Sequence, residues 1–284
     1  MKMLLMLLFL VLFAPAALAE TDDTCIDPPA DFDQAQPGVS YGETVLLRYP
    51  SATTGTERRA MLLLPPDYSP DKAYPVLYLL HGIGGDETEW SGGRPTWVIG
   101  NLIASSDAPE MLVVMPNIRA RVNDSANARD MYTPAHFAAF DNFINDLRDD
   151  LMPYVQAHYS VASGRENTAI AGLSMGGREA LYIGLTMPET FGYVGAFCPA
   201  PGVLPYNVEG GLFQPEDFRA SEEYDTYLLI NAGRTDGVVN SWPQTYSDTL
   251  TENGTAHTFY VTDGGHDFRV WKHGLYNFVR NVFR

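Results

Sequence analysis

Apolar residues in this chain fall into short unbroken runs, separated by stretches in which they recur every three or four positions. Val76-Leu77-Tyr78-Leu79-Leu80 and Met111-Leu112-Val113-Val114-Met115 are unbroken runs. A strand covered on both faces reads this way, because neither side of its pleat meets water. Ala169 to Ala171, Phe191 to Phe197, Tyr227 to Ile230 and Thr258 to Val261 continue the series. Upstream, Thr44 to Tyr49 and Arg58 to Leu64 read as paired strands joined by the turn-rich Ser51-Ala52-Thr53-Thr54-Gly55, with Pro65 and Pro66 stopping the second. Between the runs lie helical patterns. The clearest extends from about Phe137 to His158, where Phe137, Phe140, Phe143, Ile144, Leu147, Leu151, Met152 and Val155 form one stripe. Pro153 should kink or break that helix near its end. Arg178 to Leu185, Trp242 to Leu250 and Val270 to Val282 read as further helices. Strands alternating with helices predict an α/β fold with a mostly parallel, doubly wound sheet flanked by helices. Residues 199–223 are Gly- and Pro-rich and weakly patterned, a loop long enough to suggest a role. They follow a core strand, so they are expected to overhang an active-site edge.

The first residues do not fit this pattern. Lys2 precedes an apolar run from Leu4 to Phe13, and Ala17-Leu18-Ala19 supplies a small-x-small site. This is the layout of a secretory signal peptide, too short to span a bilayer, so residues 1–19 are expected to be removed and the protein secreted. Residues 20–40, rich in Asp, Pro, Ala and Gln, predict an extended tail on the surface. Residues 41–284 are then expected to form a single domain. The 284 residues carry 18 Lys and Arg against 35 Asp and Glu, a net charge of −17. Such a charge argues against nucleic acid and anionic membrane surfaces as partners, because both select basic patches. Two cysteines, Cys25 and Cys198, permit one bridge in an oxidising compartment, and spacing alone leaves the pairing open.

The chemistry is concentrated after residue 171. Gly172-Leu173-Ser174-Met175-Gly176 fits the G-x-S-x-G elbow, directly after a predicted strand and directly before a predicted helix. At that corner the chain turns sharply, glycines admit close backbone approach, and the serine hydroxyl projects above the sheet. Serine needs an adjacent base, and this elbow takes its acid and base from later in the chain, in the order Ser, Asp, His. Three histidines follow Ser174. His257 starts a strand, at the wrong edge, and His273 falls inside the last helix. His266 follows the strand ending at Val261 and a glycine approach, so it is the expected base. Asp236 is the first acid past the strand from Tyr227 to Ile230 and is the expected orienting acid. Asp263 and Asp267 are too close in sequence to His266 to reach round its ring, and Asp267 reads as a helix cap. The Met175 amide is the expected first oxyanion donor. The second should come from His81-Gly82-Ile83-Gly84-Gly85, with Ile83 preferred and Gly82 or Gly84 as alternatives. Trp90 is a candidate for lining the acyl site. Neither metal nor cofactor is required.

Taken together these segments resemble the feruloyl esterases of carbohydrate esterase family 1, the esterase-D-like branch of the α/β-hydrolases. The resemblance rests on Arg59-Ala60-Met61 through Leu64-Pro65-Pro66-Asp67-Tyr68, Leu79-Leu80-His81-Gly82-Ile83-Gly84-Gly85 with Trp90, Gly172-Leu173-Ser174-Met175-Gly176-Gly177, and Gly264-Gly265-His266-Asp267-Phe268 followed by Val270-Trp271-Lys272. It implies an α/β-hydrolase fold, Ser174, Asp236 and His266 as triad, and release of ferulic or p-coumaric acid from arabinoxylan or feruloylated xylo-oligosaccharides. Acetyl-xylan esterases share parts of the pattern. Transfer of the acyl group to a sugar, or a binding protein that retains the fold, would use the same scaffold.

Overall fold

Every residue of Val76–Leu80 is buried, and the strand's neighbours show why. In this computed structural model, which describes residues 25–126, 129–206 and 210–284, Val76, Tyr78 and Leu80 pack into one apolar cluster while Leu77 and Leu79 pack into another. The strand is therefore sandwiched between two layers. Burying each such side chain contributes roughly 1.5–3 kcal/mol, so an unbroken apolar run is favoured only where both faces are covered.

Eight strands make one sheet: β1 (Thr44–Ser51), β2 (Thr56–Leu63), β3 (Val76–Leu80), β4 (Leu112–Pro116), β5 (Thr168–Leu173), β6 (Tyr193–Phe197), β7 (Tyr227–Gly233) and β8 (Thr258–Thr262). Their order is β1-β2-β4-β3-β5-β6-β7-β8, with β1 and β2 antiparallel at one edge and the rest parallel. The helices are α1 (Pro95–Ala104), α2 (Pro134–Asp141), α3 (Phe143–Asp146), α4 (Met152–His158), α5 (Met175–Thr186), α6 (Trp242–Glu252) and α7 (Phe268–Asn281). Side chains of α2 to α6 belong to the cluster with Val76 and Tyr78, and those of α1 and α7 to the cluster with Leu77 and Leu79. This is the doubly wound α/β sheet expected from the sequence.

One helix differs from its pattern. The stripe from Phe137 to His158 predicts one continuous helix weakened near Pro153, but the chain breaks it earlier. α2 and α3 lead into a π-type turn at Leu147–Leu151, and α4 carries Pro153 as its second residue. A proline inside a helix removes one hydrogen bond and crowds the carbonyl four residues back, and widening the preceding turn relieves that crowding. Helix α1 has no counterpart among the elements predicted from sequence.

The predicted signal segment, residues 1–19, lies outside the described residues. The N-terminal segment from Cys25 runs without regular structure, with turns at Ala30–Gln34, and straps onto α7. The Ile26 amide donates to Asn277 Oδ1 (2.9 Å), Asn277 Nδ2 returns a bond to the Ile26 carbonyl (2.9 Å), and Lys272 pairs with Asp33. Among the described residues no helix is long and apolar enough to cross a membrane.

Candidate active site

Ser174 is the single residue between β5 and α5, and it takes the corner at φ 51°, ψ −115°. For a non-glycine residue this backbone costs on the order of 1–3 kcal/mol and persists only where neighbours hold it. Here its amide donates to the Phe197 carbonyl (2.9 Å), and its own carbonyl accepts from the Arg178 and Ala200 amides (both 3.0 Å). The flanking glycines leave the room the turn requires. A Cβ on Gly172 would sit 2.4 Å from Gly176 backbone, and one on Gly176 would sit 2.4 Å from the Leu80 carbonyl oxygen. The elbow therefore presses directly against the end of β3, the strand that leads into the loop at residues 81–85.

The loops after β7 and β8 meet above this corner. The Arg234 amide donates to the Thr262 carbonyl and the Thr235 amide to the Gly264 carbonyl, each at 2.9 Å, so the two loops are stitched together. His266 reaches from the second loop with Nε2 2.9 Å from Ser174 Oγ and Nδ1 2.7 Å from Asp236 Oδ2. Asp236 is fixed on its other side, where Oδ1 accepts the Val238 amide (2.9 Å) and the Val239 amide (3.1 Å). Burial works to raise the Asp236 carboxyl, but the bonds from His266 and the two amides outweigh it and hold the group below its ordinary range. An ionised Asp236 keeps the proton on His266 Nδ1, which leaves Nε2 as an acceptor facing the serine hydroxyl. The alternative residues lie elsewhere. His257 Nε2 pairs with Ser247 Oγ (2.7 Å), His273 borders Tyr260, and Asp263 is exposed against Arg234 (2.6 Å). Asp267 caps α7 by accepting the Arg269 amide at 2.8 Å.

The loop after β3 is held at several points. His81 is buried, with Nε2 accepting the Ile118 amide (2.9 Å) and Nδ1 against the Gly82 carbonyl (2.7 Å). Burial and the Arg119 charge push its pKa down to about 3, so it is neutral and structural. Arg119 Nη1 donates to the Gly85 carbonyl at 2.7 Å. The Gly82 amide is taken up by Glu89 Oε2 (2.6 Å), and the Gly85 amide by the Gly82 carbonyl (3.1 Å). Of the alternatives left open by the sequence, Gly82 is thus committed. Among the described hydrogen bonds neither the Ile83 nor the Met175 amide has a protein acceptor, and both residues line the cavity at Ser174.

That cavity has a volume of about 600 Å³. Phe137, Tyr132, Tyr206 and Val238 give it apolar and aromatic walls, and Asp141 with Arg178 form its polar wall, paired at 2.5 Å. Pro201, Tyr206 and Gly210, which follow β6 in the chain, line this opening. Trp90 does not line it, which corrects the expectation from sequence. The ring is 1% exposed, donates its indole N–H to the Leu80 carbonyl (2.9 Å) and packs edge-on to Phe197 and Phe268. A fully buried indole fills core space and braces the end of β3, so its position near the loop in sequence places it beneath the site. Phe137 was legible only as part of a core stripe. Asp141, Arg178 and Tyr206 carried no local signal, because nothing in their own neighbourhoods marks a cavity wall.

Cys25 and Cys198 are not bridged to each other. Cys25 is half-buried and Cys198 buried, at φ 46° directly after β6. Burial and the Asp236 carboxylate push the Cys198 thiol well up. Among the described residues, Cys198, Asp236 and His266 have metal-ligand spacing, their donor atoms lying within 4.8 Å of one another. Both nitrogens of His266 already face Asp236 and Ser174, so a cation here would have to break the hydrogen-bonded chain.

The model of the Esterase family matches residues 51–241. An endo-1,4-beta-xylanase/feruloyl esterase of Xylanibacter ruminicola is 28% identical over 89% of this chain, and the chain spans 33% of that relative's length. An acetyl esterase of Caldicellulosiruptor saccharolyticus is 26% identical over 78% of this chain and 80% of its own. Among solved structures, a CE1 ferulic acid esterase from Anaeromyces mucronatus in complex with ferulic acid superposes with a TM-score of 0.85, at 36% identity, covering 90% of this chain and 96% of that one.

Proposed function

We propose, from the premise that the chain belongs to the Esterase family and is one of its α/β-hydrolase-fold members, that it is a serine esterase of the feruloyl type. It hydrolyses hydroxycinnamoyl esters, feruloyl or p-coumaroyl, of arabinoxylan or of feruloylated xylo-oligosaccharides, after secretion and removal of residues 1–19. The observation that carries this reading is the unbroken chain from Asp236 through His266 to Ser174, at 2.7 and 2.9 Å. The cavity beside Ser174 adds to it. Its volume of about 600 Å³ and its aromatic walls suit a phenylpropenoyl group, far larger than acetyl.

In the first step Ser174 Oγ attacks the ester carbonyl carbon while His266 Nε2 takes its proton. Asp236 holds the imidazole in the working tautomer and stabilises the imidazolium that forms. The carbonyl oxygen becomes an oxyanion facing the Ile83 and Met175 amides. A donor of this kind lowers the barrier by about 3 kcal/mol, and the N-terminus of α5 behind Met175 favours the same charge. His266 then returns the proton to the departing sugar oxygen, leaving an acyl-serine. In the second step His266 draws a proton from water, which attacks the acyl carbon, and then passes that proton to Ser174 Oγ as its bond to the acyl carbon breaks and the free acid leaves.

The test is a side-by-side assay of methyl ferulate, methyl p-coumarate and acetylated xylan with the wild type and with Ser174→Ala. The expected result is release of both hydroxycinnamates by the wild type in preference to acetate, and of neither by the variant. Turnover by the variant overturns the nucleophile. Acetate release without hydroxycinnamate overturns the substrate class and favours an acetyl esterase.

A further inference from the structure

Glu89 is a half-buried carboxylate beside the active site that the reaction sequence above does not use. It opens a short 3-10 turn, Glu89–Gly93, and reaches back seven residues to accept the Gly82 amide at 2.6 Å. The loop is folded around this carboxylate. A Cβ on Gly85 would sit 2.2 Å from Glu89 Oε2. A Cβ on Gly82 would sit 3.4 Å from the same oxygen and 3.5 Å from Ser174 Cβ, so nucleophile and carboxylate flank one glycine. The charged groups that bear on Glu89 are Asp86, Arg119 and His266. Burial and Asp86 raise its carboxyl, while the Gly82 amide, Arg119 and His266 oppose them. Removing a carboxylate from water is costly, and this one is retained where it fixes the residue preceding Ile83.

We propose that Glu89 is a positioning residue: it locks Gly82 so that the Ile83 amide faces the acyl oxygen. The proposal rests on Ser174 and His266 being nucleophile and base. No group is transferred to or from Glu89; its contribution is geometry.

Glu89→Leu removes acceptor and charge, whereas Glu89→Gln keeps an acceptor oxygen and removes the charge alone. In the full-length protein, kcat and KM for methyl ferulate are measured alongside the melting temperature. For Glu89→Leu, kcat falls about 10- to 100-fold with KM little changed, the signature of a displaced oxyanion donor. For Glu89→Gln, which keeps an acceptor oxygen for the Gly82 amide, kcat stays within about threefold of wild type. A folded Glu89→Leu with wild-type kcat, or with its loss confined to KM, overturns the proposal. So does a folded Glu89→Gln whose kcat falls more than about tenfold, which decides the matter alone if the leucine variant does not fold. Fluorophosphonate labelling of the wild type separates the two readings: failure to label Ser174 counts against the esterase assignment and not against Glu89.

Discussion

His266 Nε2 lies 2.9 Å from Ser174 Oγ although 92 positions separate the two residues in the chain. The contact depends on parallel strands. β5 and β8 run in the same direction with β6 and β7 between them, so the loops that leave their C-terminal ends emerge on one rim. It also depends on the stitching of the loops after β7 and β8, which carries Asp236 and His266 toward the elbow together.

Asp236→Asn is expected to leave the fold intact and cost about 10⁴-fold in kcat, because an amide in this position favours the wrong tautomer of the imidazole. Steady-state kinetics with methyl ferulate, together with an unchanged melting temperature, check this. A loss below about tenfold would show that the hydrogen bond to Nδ1 does not set the tautomer.

Phe137→Ala opens the aromatic wall of the cavity. KM for methyl ferulate should rise about tenfold, the value of a few lost methylene-sized contacts, while kinetics with p-nitrophenyl acetate stay near wild type. Equal effects on both substrates would place Phe137 outside the acyl subsite.

Trp90→Phe should act on stability and spare substrate affinity. It removes the indole bond to the Leu80 carbonyl and leaves a gap against Phe197 and Phe268. The expected cost is about 1–3 kcal/mol in urea unfolding, with KM for methyl ferulate unchanged. A raised KM would return the residue to the binding site.

Gly176→Ala tests the elbow. The added methyl would lie 2.4 Å from the Leu80 carbonyl oxygen and 2.6 Å from that of His81, both backbone. The expected outcome is a loss of about 1–3 kcal/mol of stability, accompanied by reduced kcat as the oxyanion loop is pushed from α5. Urea denaturation and kinetics on one preparation read both.

Glu179 predicts a pH effect on stability. It is fully buried, and burial, opposed by Arg178, pushes its carboxyl up to about 7. Between about pH 4.5 and 7 the folded protein therefore holds a proton here that the unfolded chain releases. This contribution to stability is present below the unfolded pKa and is lost as pH rises through 7. Glu179→Gln abolishes that dependence, so from pH 5 to 8 the variant should gain on the order of 2–3 kcal/mol relative to the wild type. Urea unfolding of both proteins at the two pH values measures it; a constant difference would show that Glu179 does not titrate in this window.

The order of strands and helices along the chain is written in local periodicity, so the α/β sheet could be read from residues such as Val76 to Leu80 before any contact was known. The elbow at Ser174 and the places of Asp236 and His266 just past strand ends were legible for the same reason. Each is fixed by its own few neighbours and by the rule that parallel strands point one way. Tertiary contact alone decided the rest. Trp90 sits beneath the site because Phe197 and Phe268, distant in sequence, close over it. Gly82 is removed from the candidate oxyanion donors by a carboxylate seven residues on. The cavity walls come from α2, α5 and the loops that carry Ile83, Tyr132, Pro201 and Val238. Periodicity records which side of an element is dry. Which partners supply the covering, and where they leave a gap, is a property of the packed molecule.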